Sequence, residues 1–271
     1  MTRFALTMVV VFLLDGGAMV AKDKTQDSAV ENAIEAVGEE IKRKPDDPGL
    51  LARRGDLYAS IRRHSEAAAD FGRALKLQPG TASLLFRRGS ARFKSGDISG
   101  SIKDWDRQIE LEPRAEKSHW QRGIAYYYAG EFKKGQRQFE LYQTFDDNDV
   151  ENVVWRFLCQ ARVDGVKNAR AAMLAVRLDR RVPMMKIYDL YRGKATVDDV
   201  FAAARLGEPS DRILHHRMFY AHQYVGLYYE AVGNAEKARH HTLEADGRPI
   251  GHYMWDVAHV HAARLKAEQK K

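Results

Sequence analysis

The chain has 271 residues, of which 45% are hydrophobic and 30% are charged, and its formal net charge is +7. These proportions are ordinary for a soluble globular protein and exclude extended disorder, apart from the last residues, KAEQKK. The single cysteine, Cys159, excludes an internal disulfide, and its apolar neighbours indicate a buried side chain rather than a nucleophile.

The basic residues occur mainly as scattered pairs, such as Arg53-Arg54 and Arg180-Arg181, and most of them lie close to acids. This pattern is typical of a solvated basic surface, with a nucleic-acid or anionic-surface site as the alternative. The sequence contains no known nucleic-acid-binding signature, so we expect no nucleic-acid partner.

The first residues have the features of a secretory signal peptide. Arg3 gives a positive start, residues 4–14 are mostly apolar, and small residues follow at Gly16, Gly17 and Ala18. The pattern predicts a signal peptide over residues 1–18, with cleavage after residue 21 as a second option. The apolar run is short for a bilayer span, and an uncleaved membrane anchor is the alternative. No other stretch is apolar enough to cross a membrane, so we expect no integral span after signal removal.

The cysteine content also bears on localisation. No cysteine lies near the predicted cleavage site, so a bacterial lipid anchor has no attachment point. An exported chain without disulfides fits a bacterial envelope compartment better than a small disulfide-stapled secreted domain. We therefore expect the protein to be exported to the bacterial periplasm or cell envelope.

A repeat follows an amphipathic helix that is predicted from residue 28 to just before Pro45 and Pro48. An Arg-Gly pair recurs every 34 residues (88 − 54 and 122 − 88), which marks units over 48–81, 82–115 and 116–149. Small residues at positions 8 and 20 let the two helices of a hairpin approach closely, and an aromatic ring at position 24 fills the space beside them. The residues at positions 8, 20 and 24 are, unit by unit, Gly55, Ala67 and Phe71; Gly89, Ser101 and Trp105; Gly123, Gly135 and Phe139.

These columns resemble the tetratricopeptide repeat, a 34-residue helix–turn–helix unit. The first unit carries the residues of that repeat at the expected spacings, namely Gly55, Tyr58, Ala67, Phe71, Ala74 and Pro79. Later units depart from the pattern, because Arg92 replaces the usual Tyr and Asp147 the usual Pro. The resemblance implies stacked helical hairpins with a concave groove.

The rest of the chain has room for further, less regular units. Residues 150–218 are predicted to hold two degenerate units, and Thr196 with Asp199 resembles a capping box before a short helix. Residues 219–249 repeat the glycine and alanine columns, and residues 250–268 are predicted to form a long final helix. The sequence thus predicts an all-α fold, a right-handed α-solenoid of tetratricopeptide-type hairpins over residues 28–268 with N- and C-terminal capping helices.

The resemblance implies which residues line the groove, because in this family fixed positions of each first helix face it. In the second and third units these residues, called the groove positions below, are Phe86, Ser90, Phe93, Lys94, Trp120, Ile124, Tyr127 and Tyr128. Exposed aromatic clusters are typical of protein-binding surfaces, and we expect Lys94 to steer acidic segments of a partner. Packing of these rings on a neighbouring or capping helix is the alternative interpretation.

The expected partners are proteins or peptides. Some repeat proteins of this type hold the C-terminal carboxylate of a chaperone with Lys and Asn, but Ala52 and Asp56 occupy those positions here. The exported repeat array is instead similar to bacterial envelope proteins of the NlpI type. That resemblance implies a scaffold that links substrates to envelope proteases or cell-wall enzymes. The missing lipid-attachment cysteine departs from the type.

No catalytic motif is apparent in the sequence, and we expect a non-catalytic protein without a cofactor or metal. Eight of the ten histidines lie after residue 214, which keeps a metal-dependent enzyme open as one alternative. His252, Asp256 and His259 share a helix face, but seven residues separate the outer two, about 10.5 Å along the axis. A single ion needs ligands at about 2 Å, so such a site requires residues from another helix. A basic structural protein associated with the cell wall is the other alternative.

Overall fold

The computed structural model describes residues 12–268, and the side chains of residues 27–268. Every regular element in this part of the chain is helical, which confirms the predicted all-α fold. The α-helices are α1 Phe12–Arg43, α2 Pro48–Ser60, α3 His64–Leu77, α4 Ala82–Lys94, α5 Ile98–Leu111, α6 Trp120–Tyr128, α7 Phe132–Tyr142, α8 Val150–Asp164, α9 Val166–Ala171, α10 Met184–Tyr191, α11 Val197–Arg205, α12 Asp211–Ala231, α13 Ala235–Asp246 and α14 Tyr253–Glu268.

The predicted signal peptide, residues 1–18 or 1–21, lies outside the residues whose side chains are described, and its cleavage stays a prediction. Within residues 12–268, no helix is both long enough and apolar enough to cross a bilayer.

Tight turns join the two helices of each regular hairpin. Gly96 and Gly130 make these turns with φ of 90° and 76°, in the left-handed region that suits glycine. The corresponding residue of the first hairpin is Arg62, which adopts φ of 65° although it carries a side chain. The turn geometry is therefore the same in all three hairpins, although the first has no glycine at this position.

The chain divides into two compact units, and the boundary lies within α4, after Ala91. In the first unit, a Cβ added to Gly55 of α2 would lie 2.7 Å from the ring of Phe71 in α3. Glycine at position 8 is therefore needed because the aromatic ring at position 24 occupies the space of a side chain. The adjacent Arg54 donates two hydrogen bonds to the buried Asp70, at 2.6 and 2.8 Å, which ties α2 to α3 beside that contact.

The second unit repeats this arrangement between α6 and α7. A Cβ on Gly123 would lie 2.6 Å from the ring of Phe139, and Arg122 donates to Gln138 Oε1 at 2.9 and 2.6 Å. In α2 and α6, the glycine of the Arg-Gly pair thus allows the next helix to approach closely. The arginine donates hydrogen bonds to the residue at position 23 of the same unit, Asp70 or Gln138. Gly135 of α7 plays a similar part toward α8, since a Cβ there would lie 2.7 Å from Cys159 Sγ. The buried position of Cys159 is confirmed.

The chain after residue 149 is less regular than the three hairpins before it. The short α9 follows α8, and residues 172–183 then run without a helix before α10 and α11. Thr196 and Asp199 form the expected capping box at the start of α11. The expected boundary between residues 218 and 219 falls inside α12, which begins at Asp211 and pairs with α13 through Gly226 and Thr242.

Candidate functional site

The eight groove positions lie in both compact units. Phe86 and Ser90 belong to the first unit and are half-buried. The other six belong to the second unit, on α6 and on the end of α4, and four of them contact α14, namely Phe93, Lys94, Trp120 and Tyr128.

The first turn of α14 packs against the aromatic groove positions. The ring of Tyr253 stacks on Phe93 with centroids 5.8 Å apart and meets Trp120 edge-on at 5.1 Å. Phe93 also contacts Tyr128, and its side chain is fully buried. An aromatic residue of the chain itself thus packs on groove positions that were expected to face a partner.

Polar contacts extend this packing along α14. The Tyr128 hydroxyl lies 3.0 Å from His261 Nδ1, and Arg264 donates to the Tyr128 carbonyl oxygen at 2.7 Å. The Tyr127 hydroxyl donates to Glu230 of α12 at 3.1 Å, and the Tyr127 ring meets Trp155 of α8 edge-on. Burial raises the pKa of both tyrosines well above their usual range. These two rings are therefore part of a packed core that joins α6 to the C-terminal helices.

Lys94 is paired within the chain. Its Nζ lies 2.8 Å from Asp256 Oδ2 and 4.9 Å from the centroid of the Tyr253 ring. The expectation that Lys94 steers acidic partner segments is corrected, because this charge is already engaged by α14. A sequence pattern could not reveal the pair, since its two members are 162 residues apart (256 − 94).

Four groove positions, Phe93, Ile124, Tyr127 and Tyr128, are buried against other helices of the second unit. This corrects the expectation of an open aromatic wall at these residues and favours the alternative of internal packing. Trp120 differs from them because it is only half-buried. Binding of a partner by any groove position stays a prediction.

Trp120 and Ile124 line a cavity of about 130 Å³. The remaining walls come from α7, α8, the segment before α10 and the start of α14. They are Phe139, Asp149, Glu151, Asn152, Trp155, Arg181, His252 and Met254. The cavity therefore combines aromatic and aliphatic walls on one side with a charged cluster on the other.

The charged cluster centres on Arg181, whose guanidinium faces three carboxylates. Its nitrogens lie 2.7 Å from Asp149 Oδ1, 2.5 Å from Glu151 Oε1 and 2.6 Å from Asp179 Oδ2. Asp149 also caps α8 by accepting from the Glu151 backbone N–H. Burial raises the pKa of Glu151 to about 7, although Arg181 opposes this, and burial likewise raises the pKa of Asp149. One guanidinium thus pairs with three carboxyl groups in a partly buried environment.

Two buried polar atoms in the cavity wall lack a hydrogen-bond partner among the described residues. They are Asn152 Oδ1, an acceptor, and Trp155 Nε1, a donor. Asn152 uses its amide nitrogen fully, since it donates to the Phe139 carbonyl and to Gln143 Oε1, both at 3.2 Å. Buried polar atoms without partners are uncommon in folded proteins, so this wall is a candidate for ligand contact.

Sequence analysis missed most residues of the cavity. Asp149 and Glu151 carry a local signal, because an acidic run precedes a hydrophobic helix, but Arg181 and Met254 lie far along the chain. The histidines singled out in the sequence pair separately: His252 with Tyr220, and His259 with Asp246. Among residues 27–268, no group of three His, Cys, Asp or Glu side chains is placed to hold a metal ion.

Similarity to solved structures agrees with the helical-hairpin fold. A tetratricopeptide repeat protein from Parabacteroides merdae ATCC 43184 matches with a TM-score of 0.56 and 13% identity, over 92% of this chain and 95% of that one. At this identity the match shows the fold alone. Weaker matches include MamA from Desulfovibrio magneticus RS-1 (TM-score 0.49, 18% identity, 57% of this chain and 87% of that one). YrrB, a TPR protein with an unusual peptide-binding site, has a TM-score of 0.44 at 17% identity, over 86% of this chain and 100% of that one. No protein-family model matches the chain, and no curated protein does.

Proposed function

We propose that this protein is a non-catalytic exported scaffold that binds protein or peptide partners through the surface around Trp120. The observation that carries the proposal is a half-buried aromatic side chain at the rim of a cavity, on a helical-hairpin fold. Helical-hairpin arrays present such surfaces to other chains, and Trp is among the residues that contribute most to binding.

The position of α14 decides which groove positions a partner meets. Phe93 and Tyr128 pack on α14, so a partner that used them would have to displace this helix and break its Lys94–Asp256 pair. Tyr127 is packed against α8 and α12. Trp120 and the cavity behind it need no such displacement. We therefore place the partner at Trp120, between α6 and the segment that leads into α14.

The proposed location is the bacterial periplasm or cell envelope. It is supported by the basic, apolar and small residues at the start of the chain and by the absence of paired cysteines in the sequence. In that compartment, a repeat scaffold of the NlpI type would link substrates to envelope proteases or cell-wall enzymes. Fractionation of cells that express the chain with and without residues 1–18 tests this location.

Site-specific photo-crosslinking tests the binding surface. A photoreactive phenylalanine analogue replaces Trp120 in one variant and Leu178, which is exposed and outside the cavity wall, in a control. We expect the variant at position 120, in envelope preparations from the native host, to form discrete adducts with proteins that the position 178 control does not form. Identical adducts from both positions, or none from position 120, would contradict the proposal.

A further inference from the structure

We propose that the cavity behind Trp120 binds an aliphatic cation, either the ammonium or guanidinium group of a basic side chain on a partner or a free alkylamine. Binding of a partner's side chain rests on the proposed function. Binding of a cation in the cavity rests only on the residues that line it. The shared chemistry is a positive head group on a short apolar stem.

The size of the cavity suits such a group. Its volume is about 130 Å³. A protein cavity of about 150 Å³ admits a molecule of the size of benzene, so this one holds a head group with a few methylenes but not a whole aromatic amino acid. Ile124 and Met254 offer aliphatic surface for the stem.

The aromatic walls favour a cation over a neutral group. Trp120, Phe139 and Trp155 all line the cavity, and indole rings attract cations more strongly than other side-chain rings do. Phe139 and Trp155 are each only 1% exposed and Trp120 is half-buried, so Trp120 is the ring most accessible to an incoming cation.

The charged cluster selects against an anion. Asp149 and Glu151 line the cavity beside Arg181, and Asp179 pairs with Arg181 from outside the lining, so three carboxyl groups share one guanidinium. Arg181 directs its Nε and both terminal nitrogens at these carboxylates. An incoming anion would meet a guanidinium whose donors are already used by carboxylates, whereas a cation can pair with the carboxylates that line the cavity.

Two residues of the cavity wall have a buried polar atom without a hydrogen-bond partner among the described residues. Asn152 is 2% exposed, and its Oδ1 accepts no hydrogen bond from any described residue. A cationic N–H supplies the donor that this oxygen lacks. Trp155 Nε1 is a donor without an acceptor, and a peptide carbonyl supplies one whereas an alkylamine has none. A lysine-containing peptide should therefore bind more tightly than a simple amine.

Calorimetric titration of the full-length chain at 0.15 M salt tests the inference. The probes are Nα-acetyl-lysine N-methylamide, its uncharged norleucine analogue, the glutamate analogue, and free butylamine. We expect the lysine probe to bind at least about tenfold more tightly than the norleucine probe, and the glutamate probe to give no heat. Equal binding of lysine and norleucine probes, binding of the glutamate probe, or no binding of either cation would overturn the inference.

The chain offers a matched pair of control variants. Asp149→Asn keeps a residue that caps α8 but removes one cavity charge, and we expect it to weaken lysine-probe binding about tenfold. Asp47→Asn makes the same change at the N-cap of α2, where Asp47 accepts from Gly49 and Leu50, and should leave binding unchanged. Trp120→Leu, checked by circular dichroism, gives a second loss of affinity that does not depend on capping. Unchanged binding in both cavity variants would contradict the assignment.

The two sources of the cation are distinguished by the butylamine arm. Binding of butylamine with an affinity close to that of the lysine probe favours a free amine, and binding of the lysine probe alone favours a partner side chain. The proposed function fails separately, through the crosslinking at position 120. Selective cation binding without protein adducts would support the cation site and contradict the proposed scaffold function. Protein adducts without cation selectivity would support the scaffold function and contradict the cation site.

Discussion

Lys94 and Asp256 form an ion pair, 2.8 Å from Nζ to Oδ2, that joins the end of α4 to the middle of the first half of α14. The side chains are 23% and 8% exposed. Two residues that the sequence places in separate regions therefore hold the C-terminal helix over the aromatic groove positions. The pair supports the packing of Tyr253 on Phe93 and Trp120, which covers these groove positions.

Replacement of Lys94 by Met should destabilise the protein. The buried Asp256 carboxylate loses this partner, and a loss of about 2 kcal/mol in the free energy of unfolding is expected, measured by urea titration. The double variant Lys94→Met with Asp256→Asn should recover part of the loss. Lys42→Met, which breaks an exposed pair with Glu39, is the control and should leave the free energy of unfolding nearly unchanged. Equal losses of stability in Lys94→Met and Lys42→Met would contradict the role given to Lys94.

Glycine at position 8 should be intolerant of a methyl group, while a nearby helical glycine should not. Gly55→Ala places Cβ 2.7 Å from the Phe71 ring and should cost about 2 kcal/mol through overpacking. Gly72→Ala lies in α3, where the nearest atom would be 3.7 Å away on Arg88, and should gain about 0.5 kcal/mol from helix propensity. Thermal unfolding of both variants checks the contrast, and equal effects would refute the close-approach explanation.

Acid should destabilise the protein partly through His119. Burial lowers the pKa of His119 to about 3, and its Nδ1 accepts from the Arg122 backbone N–H at the start of α6. Below pH 6.5 the histidine becomes protonated in the unfolded chain but not in the folded one. The contribution of His119 to stability is therefore fully present above pH 6.5 and is lost as the pH falls toward 3.

At pH 5 this effect of His119 amounts to about 1–2 kcal/mol relative to pH 7.5. His119→Asn keeps a capping side chain without titrating, so its free energy of unfolding should depend less on pH over this range. The measurement is chemical unfolding at both pH values, with the exposed His216→Asn as the control that behaves like the wild type. A pH dependence unchanged by His119→Asn would show that other groups account for the acid sensitivity.

The first hairpin turn should accept glycine with a gain in stability. Arg62 holds φ of 65°, a conformation that costs a residue with a side chain about 1 kcal/mol. Arg62→Gly should therefore raise the melting temperature slightly, and Gly96→Ala, with φ of 90° at the matching turn, should lower it. Changes of the same sign in the two variants would contradict the shared turn geometry.

The regular part of the fold could be predicted because its determinants are local. The Gly55–Phe71 and Gly123–Phe139 contacts join residues 16 apart (71 − 55 and 139 − 123), and their period is visible in the sequence. The capping box of Thr196 and Asp199 spans three residues and was equally accessible. The all-helical fold and the buried Cys159 follow from such short-range patterns.

The site could not be predicted to the same extent because it depends on long-range packing. The choice of α14 as the helix that covers Phe93 and Tyr128 depends on contacts such as Tyr128 with His261. Arg181 reaches Asp149 and Glu151 from residues 172–183, a stretch without helical periodicity. A helical pattern identifies which face is apolar, but it does not identify which partner covers that face.

The contact of Gly135 with Cys159 makes the single thiol a natural reporter of breathing motions. Cys159 Sγ sits where a side chain at position 135 would be, and burial raises its pKa, so the thiol cannot react while α7 and α8 remain together. The rate at which a thiol reagent labels the unmodified protein therefore counts how often these two helices separate, without any added probe.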